Sequence, residues 1–248
     1  MRRLVGIFVF LLLLGSGTSA DVQQRLVLST IEGTPNGVIG AAVLKAAYGK
    51  LGIDLDIYYT SGKRSLLVAA SGSVDGEVLR VGTVSEMHPT LIRIGVPIHT
   101  LEVSAFSKRS NAPKQRVEDL PYLRVGHLRG AVLPEDVTRH LSDVWRANSN
   151  RELFKLLMAD KLDAVLTSTV TEAVTIRQLG IEEGEIVGQP IGRENLYHFL
   201  HKKHADLVPE ITTVLEQMAA SGELDAIITA LTEELLGGKF PVHAGNVE

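Results

Sequence analysis

"KRSLLVAASGSVDGEVLRV", residues 63–81, decides the fold. Its first half sets apolar residues at helical spacing behind Ser61, and Gly72 marks the helix stop. From Val74 the pattern changes to a short, continuous apolar run, which reads as a buried strand. Upstream, "RLVLST" (25–30) reads as a buried strand and "IEGTPN" (31–36) as a turn. "GVIGAAVLKAAYGKLG" (37–52) then reads as a helix stopped at Gly52, and "IDLDIYY" (53–59) alternates like a strand. Strand, helix, strand, helix, strand within about sixty residues predicts a parallel α/β layer. Right-handed crossovers place the loops after each strand on one edge of such a sheet, the edge where ligands bind.

Downstream, "LIRIGVPI" (91–98) and "LEVSAFS" (101–107) read as two strands, and the polar "KRSNAPKQ" (108–115) as a linker. The alternation then restarts. Strands are predicted at "YLRVGHLRG" (122–130), "SDVWRA" (142–147) and "LDAVLTS" (162–168). Helices are predicted at "AVLPEDVTRHL" (131–141), "SNRELFKLLMAD" (149–160) and "TEAVTIRQLG" (171–180). "EIVGQPIG" (185–192) and "NLYHFLHK" (195–202) look extended and suit a second passage between two lobes. Two helices, "ADLVPEITTVLEQMAASG" (205–222) and "ELDAIITALTEELL" (223–236), precede an unpatterned tail from Gly237.

The phrase around Asp75 recurs as "LMADKLDAVL" (157–166) and "MAASGELDAII" (218–228). The first two copies fall where a helix ends and a buried strand begins, and the third joins two helices. Asp75, Asp163 and Asp225 are therefore read as turn and cap residues, in keeping with the turn chemistry of Asp.

Residues 1–20 have the layout of a cleaved signal peptide: Arg2 and Arg3, an apolar run over 4–14, then small residues ending at Ala20. The run is shorter than the roughly 18 residues a membrane span needs. A chain with no cysteine has no disulfide framework, thiol nucleophile or cysteine-based metal site. Exported and cysteine-free, it suits a bacterial periplasm. With 25 Lys and Arg against 29 Asp and Glu there is no nucleic-acid footprint; the short basic "HFLHKKH" reads as solvated surface.

"GTPNGVIG" (33–40) imitates a dinucleotide loop, but its spacing is G-x-x-x-G-x-x-G rather than G-x-G-x-x-G. No nucleophile elbow, zincin or P-loop motif is present, so neither a catalytic residue nor a cofactor is predicted. His198, His201 and His204 lie three apart on a strand end, which is poor metal-ligand spacing, and no metal is predicted. Arginines at predicted element ends do stand out. Arg80 closes a strand on the ligand edge, and Arg64 lies near a helix start. Arg129 precedes Gly130 and Ala131, whose N–H groups would face an anion. Guanidinium groups grip carboxylates, although Arg80 could instead pair with Glu77. Thr60, Ser61 and Glu32 complete the candidate set in the first lobe, and Thr167 joins it in the second.

Together these stretches resemble the periplasmic solute-binding proteins of ABC transporters, polar amino-acid type (bacterial extracellular solute-binding protein family 3). The likeness rests on four segments in order: residues 63–81, "VEDLPYLRVGHLRGA" (117–131), "RELFKLLMADKLDAVLTS" (151–168) and "HKKHADLVPEITTVLEQMAASGELDAI" (201–227). It implies a type II, two-lobed α/β fold, each lobe a mainly parallel sheet flanked by helices, with a two-segment hinge. The first lobe would comprise residues 21–107 and 196–248, the second 108–195. The lobes would close over a small solute and present it to a membrane permease or sensor, the protein acting as a monomer.

Two positions depart from the family pattern. The family's carboxylate-binding Arg sits in a "T-x-x-R" segment, where this chain has "LRVGTVSEMHP" (79–89), leaving Arg80 as the substitute. The family's acidic partner for a ligand ammonium falls here on Ser168, whose hydroxyl cannot balance that charge. A small anionic or neutral polar solute is expected over an ordinary α-amino acid. The resemblance leaves two alternatives open. One is an enzyme on this scaffold, dehydratase-like, using Glu32, Glu77 or Glu86; the other is a partner protein that binds no ligand.

Overall fold

The computed structural model describes residues 24–114 and 117–238; the signal peptide expected over 1–20 and nearly all of the C-terminal tail lie outside them. In chain order the first half contains β1 (Arg25–Ile31), α1 (Pro35–Lys50), β2 (Asp54–Thr60), α2 (Gly62–Ala70), β3 (Gly76–Val81) and the single turn α3 (Val84–Met87). β4 (Leu91–Lys108) leads through two 3₁₀ segments to β5 (Val125–Leu128), α4 (Val132–Val137), β6 (Val144–Ala147), α5 (Asn150–Met158), β7 (Ala164–Ser168) and α6 (Thr169–Leu179). β8 (Ile186–His201) returns, and α7 (Val208–Ser221) and α8 (Glu223–Leu236) close the chain.

The strands form one eight-stranded sheet in the order β2-β1-β3-β8-β4-β7-β5-β6. At one end β1 runs parallel to β2 and β3; at the other β5 runs parallel to β6 and β7. Between them β4 and β8 form a long antiparallel ribbon from Leu91↔His201 to Lys108↔Ile186. Its register shifts between Arg93 and Pro97 and between Val103 and Ser104, irregularities of the kind that bend and twist a ribbon. The two strands expected at 91–98 and 101–107 are thus one. His99 and Thr100 interrupt the apolar pattern yet stay paired, with Leu196 and Asn195.

Each half has its own core. Leu26, Leu28, Leu44, Tyr48, Val78 and Phe199 pack with α7 residues such as Leu215 in the first. Phe106, Leu153, Phe154, Leu157 and Val165 pack in the second. Full burial of side chains this large stabilises by about 1.5–3 kcal/mol each. A smaller cluster joins the halves: Val38 and Ile39 of α1, Val174 of α6 and Leu235 of α8.

Several boundaries differ from the sequence reading. α1 starts at Pro35, not Gly37, because the Thr34 side chain accepts from the Gly37 N–H and Pro35 occupies the first turn. α4 has six residues where a helix over 131–141 was expected. Thr138 ends it: the Thr138 hydroxyl turns back to the Pro134 carbonyl (2.7 Å) and lies 3.2 Å from His127 Nε2. The presumed linker at 108–115 is in part strand end and in part a 3₁₀ segment, Arg109–Lys114.

The repeated phrase has a definite structural task. Asp75 N–H donates to the Val27 carbonyl, and Asp75 Oδ2 accepts from the Val27 N–H (2.7 Å). Asp163 N–H donates to the Arg124 carbonyl, and Asp163 Oδ2 accepts from the Arg124 N–H (2.8 Å). Each carboxylate bonds a backbone N–H of the neighbouring parallel strand or of the residue entering it, so β3 is pinned to β1 and β7 to β5. Asp225 has a different role, in the acidic first turn of α8. Just after Asp75, Gly76 lets β8 approach, since a Cβ there would collide with the Phe199 carbonyl.

Candidate functional site

A cavity of about 120 Å³ lies between the two halves. That is many times the roughly 10–15 Å³ one water requires. The β4–β8 ribbon contributes Leu101, Val103, Glu194 and Leu196. The first half contributes Thr30 and Ile31 from the end of β1, Thr34, Asn36 and Gly37 around the start of α1, and Leu79 to Val81 from the end of β3. Leu128, Gly130 to Pro134, Asn150, Leu166 to Ser168 and Thr171 face them from the second half. These are carboxyl ends of parallel strands and amino ends of helices, as the crossover geometry requires. The walls are largely apolar, with polar groups at the helix starts. Among the described residues, Glu194 is the only carboxylate in this lining.

Arg80 is held in the cavity wall by its own strand. Residues three apart on a regular strand face opposite ways, yet the β3 register shifts between Glu77 and Arg80 and brings both side chains together. Arg80 Nε donates to Glu77 Oε1 (2.8 Å) and Nη2 to the Gly62 carbonyl (2.9 Å). Nη1 has no hydrogen-bond partner among the described residues. Glu77 Oε2 accepts from the Ser29 hydroxyl (2.7 Å) and the Ser65 hydroxyl (2.5 Å). Both side chains are nearly sealed, Arg80 at 4% and Glu77 at 0% exposure. Burial pushes the Glu77 carboxyl up, and Arg80 with the two hydroxyls pulls it back only in part.

Five of the sequence-predicted residues line this cavity: Arg80, Gly130, Ala131, Thr167 and Ser168. Gly130 adopts a left-handed backbone (φ 82°) and packs against Gly62 of the first half. Ser168 caps α6, accepting from the Thr171 N–H and donating to Thr171 Oγ1 (2.7 Å). Thr167 donates to Asn150 Oδ1 (3.3 Å). The other six lie outside the lining. Glu77 sits behind Arg80, and Thr60 serves through its carbonyl, which accepts from the Glu32 N–H. Ser61, Arg64 and Glu32 are exposed. Arg129 points back to the Arg146 carbonyl (2.9 Å) and Asn148 (3.4 Å). Asn36, Asn150 and Glu194 were not predicted; the first two sit at helix starts, where Asn reads as a cap.

The three spaced histidines diverge. His198 is fully buried; its Nδ1 donates to the Glu77 carbonyl (2.8 Å), and its Nε2 accepts from the Tyr48 hydroxyl (2.8 Å). Burial lowers its pKa to about 4. His204 joins Asp75, and His201 accepts from the Lys203 N–H. Among the described residues no group of three or more His, Cys, Asp or Glu side chains could hold a metal ion. Burial raises Glu172, on α6, to about 7, but this side chain is not in the cavity lining. No described helix is long and apolar enough to cross a membrane.

No family model matches the chain. A protein of undescribed function from Shewanella oneidensis is 24% identical over 184 residues, 71% of this chain and 69% of that protein. Solved structures share the architecture. A histidine kinase sensor domain with similarity to periplasmic binding proteins matches with a TM-score of 0.71 at 15% identity, over 84% of this chain and 96% of that one. A mutant of the arginine-binding protein ArgBP from T. maritima matches at 0.71 and 17%, over 85% and 96%. The ligand-binding core of GluR0 in complex with L-glutamate matches at 0.72 and 15%, over 86% and 99%. The chain therefore has the two-lobed α/β fold of the periplasmic binding proteins.

Proposed function

We propose that this chain is an exported solute-binding protein that closes its two lobes over a small polar or carboxylate-bearing solute with an apolar body. The observation that carries this reading is the cavity between the lobes, with the Arg80 guanidinium fixed in its wall and Nη1 left for an anion. The amino ends of α1, α5 and α6 add positive dipole ends around the same space. The apolar walls favour a hydrocarbon portion. Solved neighbours include an arginine-binding protein bound to arginine, which supports a solute of amino-acid size.

In this reading residues 1–20 direct export to the periplasm, 21–107 and 196–248 form one lobe, and 108–195 form the other. The β4–β8 ribbon is the hinge, and a monomer delivers its solute to an ABC-type permease or to a sensor. Closure is a population shift, driven by a ligand that touches both lobes at once. An enzyme on the same scaffold is less well supported: Glu32 is exposed, Glu77 is locked to Arg80, and Glu86 lies in an outer groove. The test is a thermal-shift and calorimetric screen of simple organic acids and amino acids. Saturable binding of an organic acid, recovered intact, supports the proposal. Tight binding of an ordinary L-amino acid would sink the preferred ligand class, and turnover would sink the non-enzymatic reading.

A further inference from the structure

Three side-chain polar atoms among the described residues are shut from solvent without a hydrogen-bond partner: Asn36 Oδ1, Glu194 Oε2 and Ser107 Oγ. The first two belong to residues lining the cavity between the lobes. Both are acceptors, and they come from different parts of the fold, Asn36 from the first turn of α1 and Glu194 from the hinge strand β8. Glu194 is also part of the wall between the cavity and the outer groove lined by Arg93 and Tyr197. Arg93, however, stacks on the Tyr197 ring (4.7 Å to its centroid). The neighbouring Arg193 is taken by Glu102 (2.5 Å).

We infer that Glu194, assisted by Asn36, is the acceptor subsite for a hydroxyl donor on the solute, set apart from Arg80. Ser168, which stands at the family's acidic position, caps α6, and the carboxylate in the cavity lining comes from the hinge strand instead. The two polar subsites then demand a bifunctional solute: a carboxylate for Arg80, an O–H donor for Glu194, and an apolar body against Ile31, Leu79 and Leu133. A buried acceptor discriminates strongly between a ligand that carries the donor and one that lacks it, because the acceptor stays unpaired with the second. Partial burial also raises the Glu194 carboxyl.

This inference rests on the solute-binding reading, and two paired probes test it: 4-methylpentanoate against 2-hydroxy-4-methylpentanoate, and 3-phenylpropanoate against 2-hydroxy-3-phenylpropanoate. In at least one pair the hydroxylated acid should bind the wild-type protein at least about tenfold more tightly. Glu194→Met should bring that ratio close to one. A second readout needs no ligand. Replacing a half-buried carboxylate whose Oε2 is sealed without a partner by an apolar chain of similar length should raise the unfolding temperature of the ligand-free protein. Equal affinities within both pairs, or a ratio that survives Glu194→Met, would overturn the subsite while leaving solute binding intact. A lower unfolding temperature in Glu194→Met would mark a structural role and overturn it too. If neither pair binds, organic-acid binding of this type fails, and the inference fails with it.

Discussion

The buried pair of Glu77 and Arg80 offers a sharp test of how the cavity wall is built. Glu77→Gln keeps an oxygen for the Ser29 and Ser65 hydroxyls but leaves the Arg80 guanidinium, 4% exposed, without its counter-charge. Breaking a buried ion pair from one side costs about 3–5 kcal/mol, because the remaining charge stays desolvated. For a chain of this length each kcal/mol moves the midpoint by about 2–4 °C, so the variant should unfold roughly 6–20 °C below wild type. Arg80→Met should cost a similar amount near neutral pH, and less in acid, where the orphaned Glu77 protonates. The double variant Glu77→Gln/Arg80→Met carries no buried charge at this place and should be no less stable than the worse single variant. Urea unfolding of all four proteins gives the coupling energy, expected at about 2 kcal/mol or more. Additive losses, or a Glu77→Gln cost under about 1 kcal/mol, would refute the claim that Glu77 holds Arg80 in place.

Two further outcomes follow from the geometry. Burial pushes the Asp75 carboxyl up, but hydrogen bonds from Lys203, the Val27 N–H and His204 outweigh it and hold the pKa below the ordinary value. A depressed carboxyl stabilises the fold above its unfolded pKa, near 3.9, and the contribution is lost as pH falls through the lower folded value. Asp75→Asn should therefore cost about 1–2 kcal/mol at neutral pH, and the two stability curves should converge in strong acid; a pH-independent gap would contradict this. At the mouth of the cleft, a Cβ on Gly62 would lie 3.3 Å from the Arg129 carbonyl across the interlobe gap. Gly62→Val adds two methyl groups there and should disfavour the closed arrangement by about 1–3 kcal/mol, visible as a larger radius of gyration in small-angle scattering. An unchanged scattering profile would show that this contact does not limit closure.

The alternation of elements was legible because it is written in periodicity, and burial enforces periodicity directly. The apolar stripe before Gly72 and the run "GEVLRV" gave α2 and β3 within a few residues. The misses have physical causes. His99 and Thr100 look like a strand break only because β4 leaves one core before entering the next, so polar residues are tolerated while pairing with Leu196 and Asn195 continues. Glu194, between Arg193 and Asn195, reads as one more solvated position on a polar strand; only the packing of the ribbon against the cavity seals its Oε2. The pairing of Glu77 with Arg80 contradicts strand alternation and depends on a local irregularity that no period reveals. Arg64 and Arg129 show the reverse error: both stand near element ends, but an exposed position on α2 and a carbonyl of β6 claim them.

The repeated aspartates connect fold to site through register. Asp75 ties the start of β3 to β1, and Arg80 lies five residues further along that strand. Asp163 ties the start of β7 to β5, and Ser168 lies five residues further along it. At about 3.3 Å per residue, each clamp is roughly 17 Å from the residue it positions, one at the closed edge of the sheet and the other in the cleft. A slip of one residue would turn every side chain of the strand to the opposite face, carrying Arg80 out of the cavity wall. Short parallel strands with few ladder bonds are exposed to such slips, and β3 meets β1 through a brief register, Leu28↔Gly76 and Ser29↔Glu77. A carboxylate that bonds the neighbouring backbone at a fixed offset removes the ambiguity in both lobes. The same phrase thus recurs because each lobe must solve the same register problem before its far edge can carry a site.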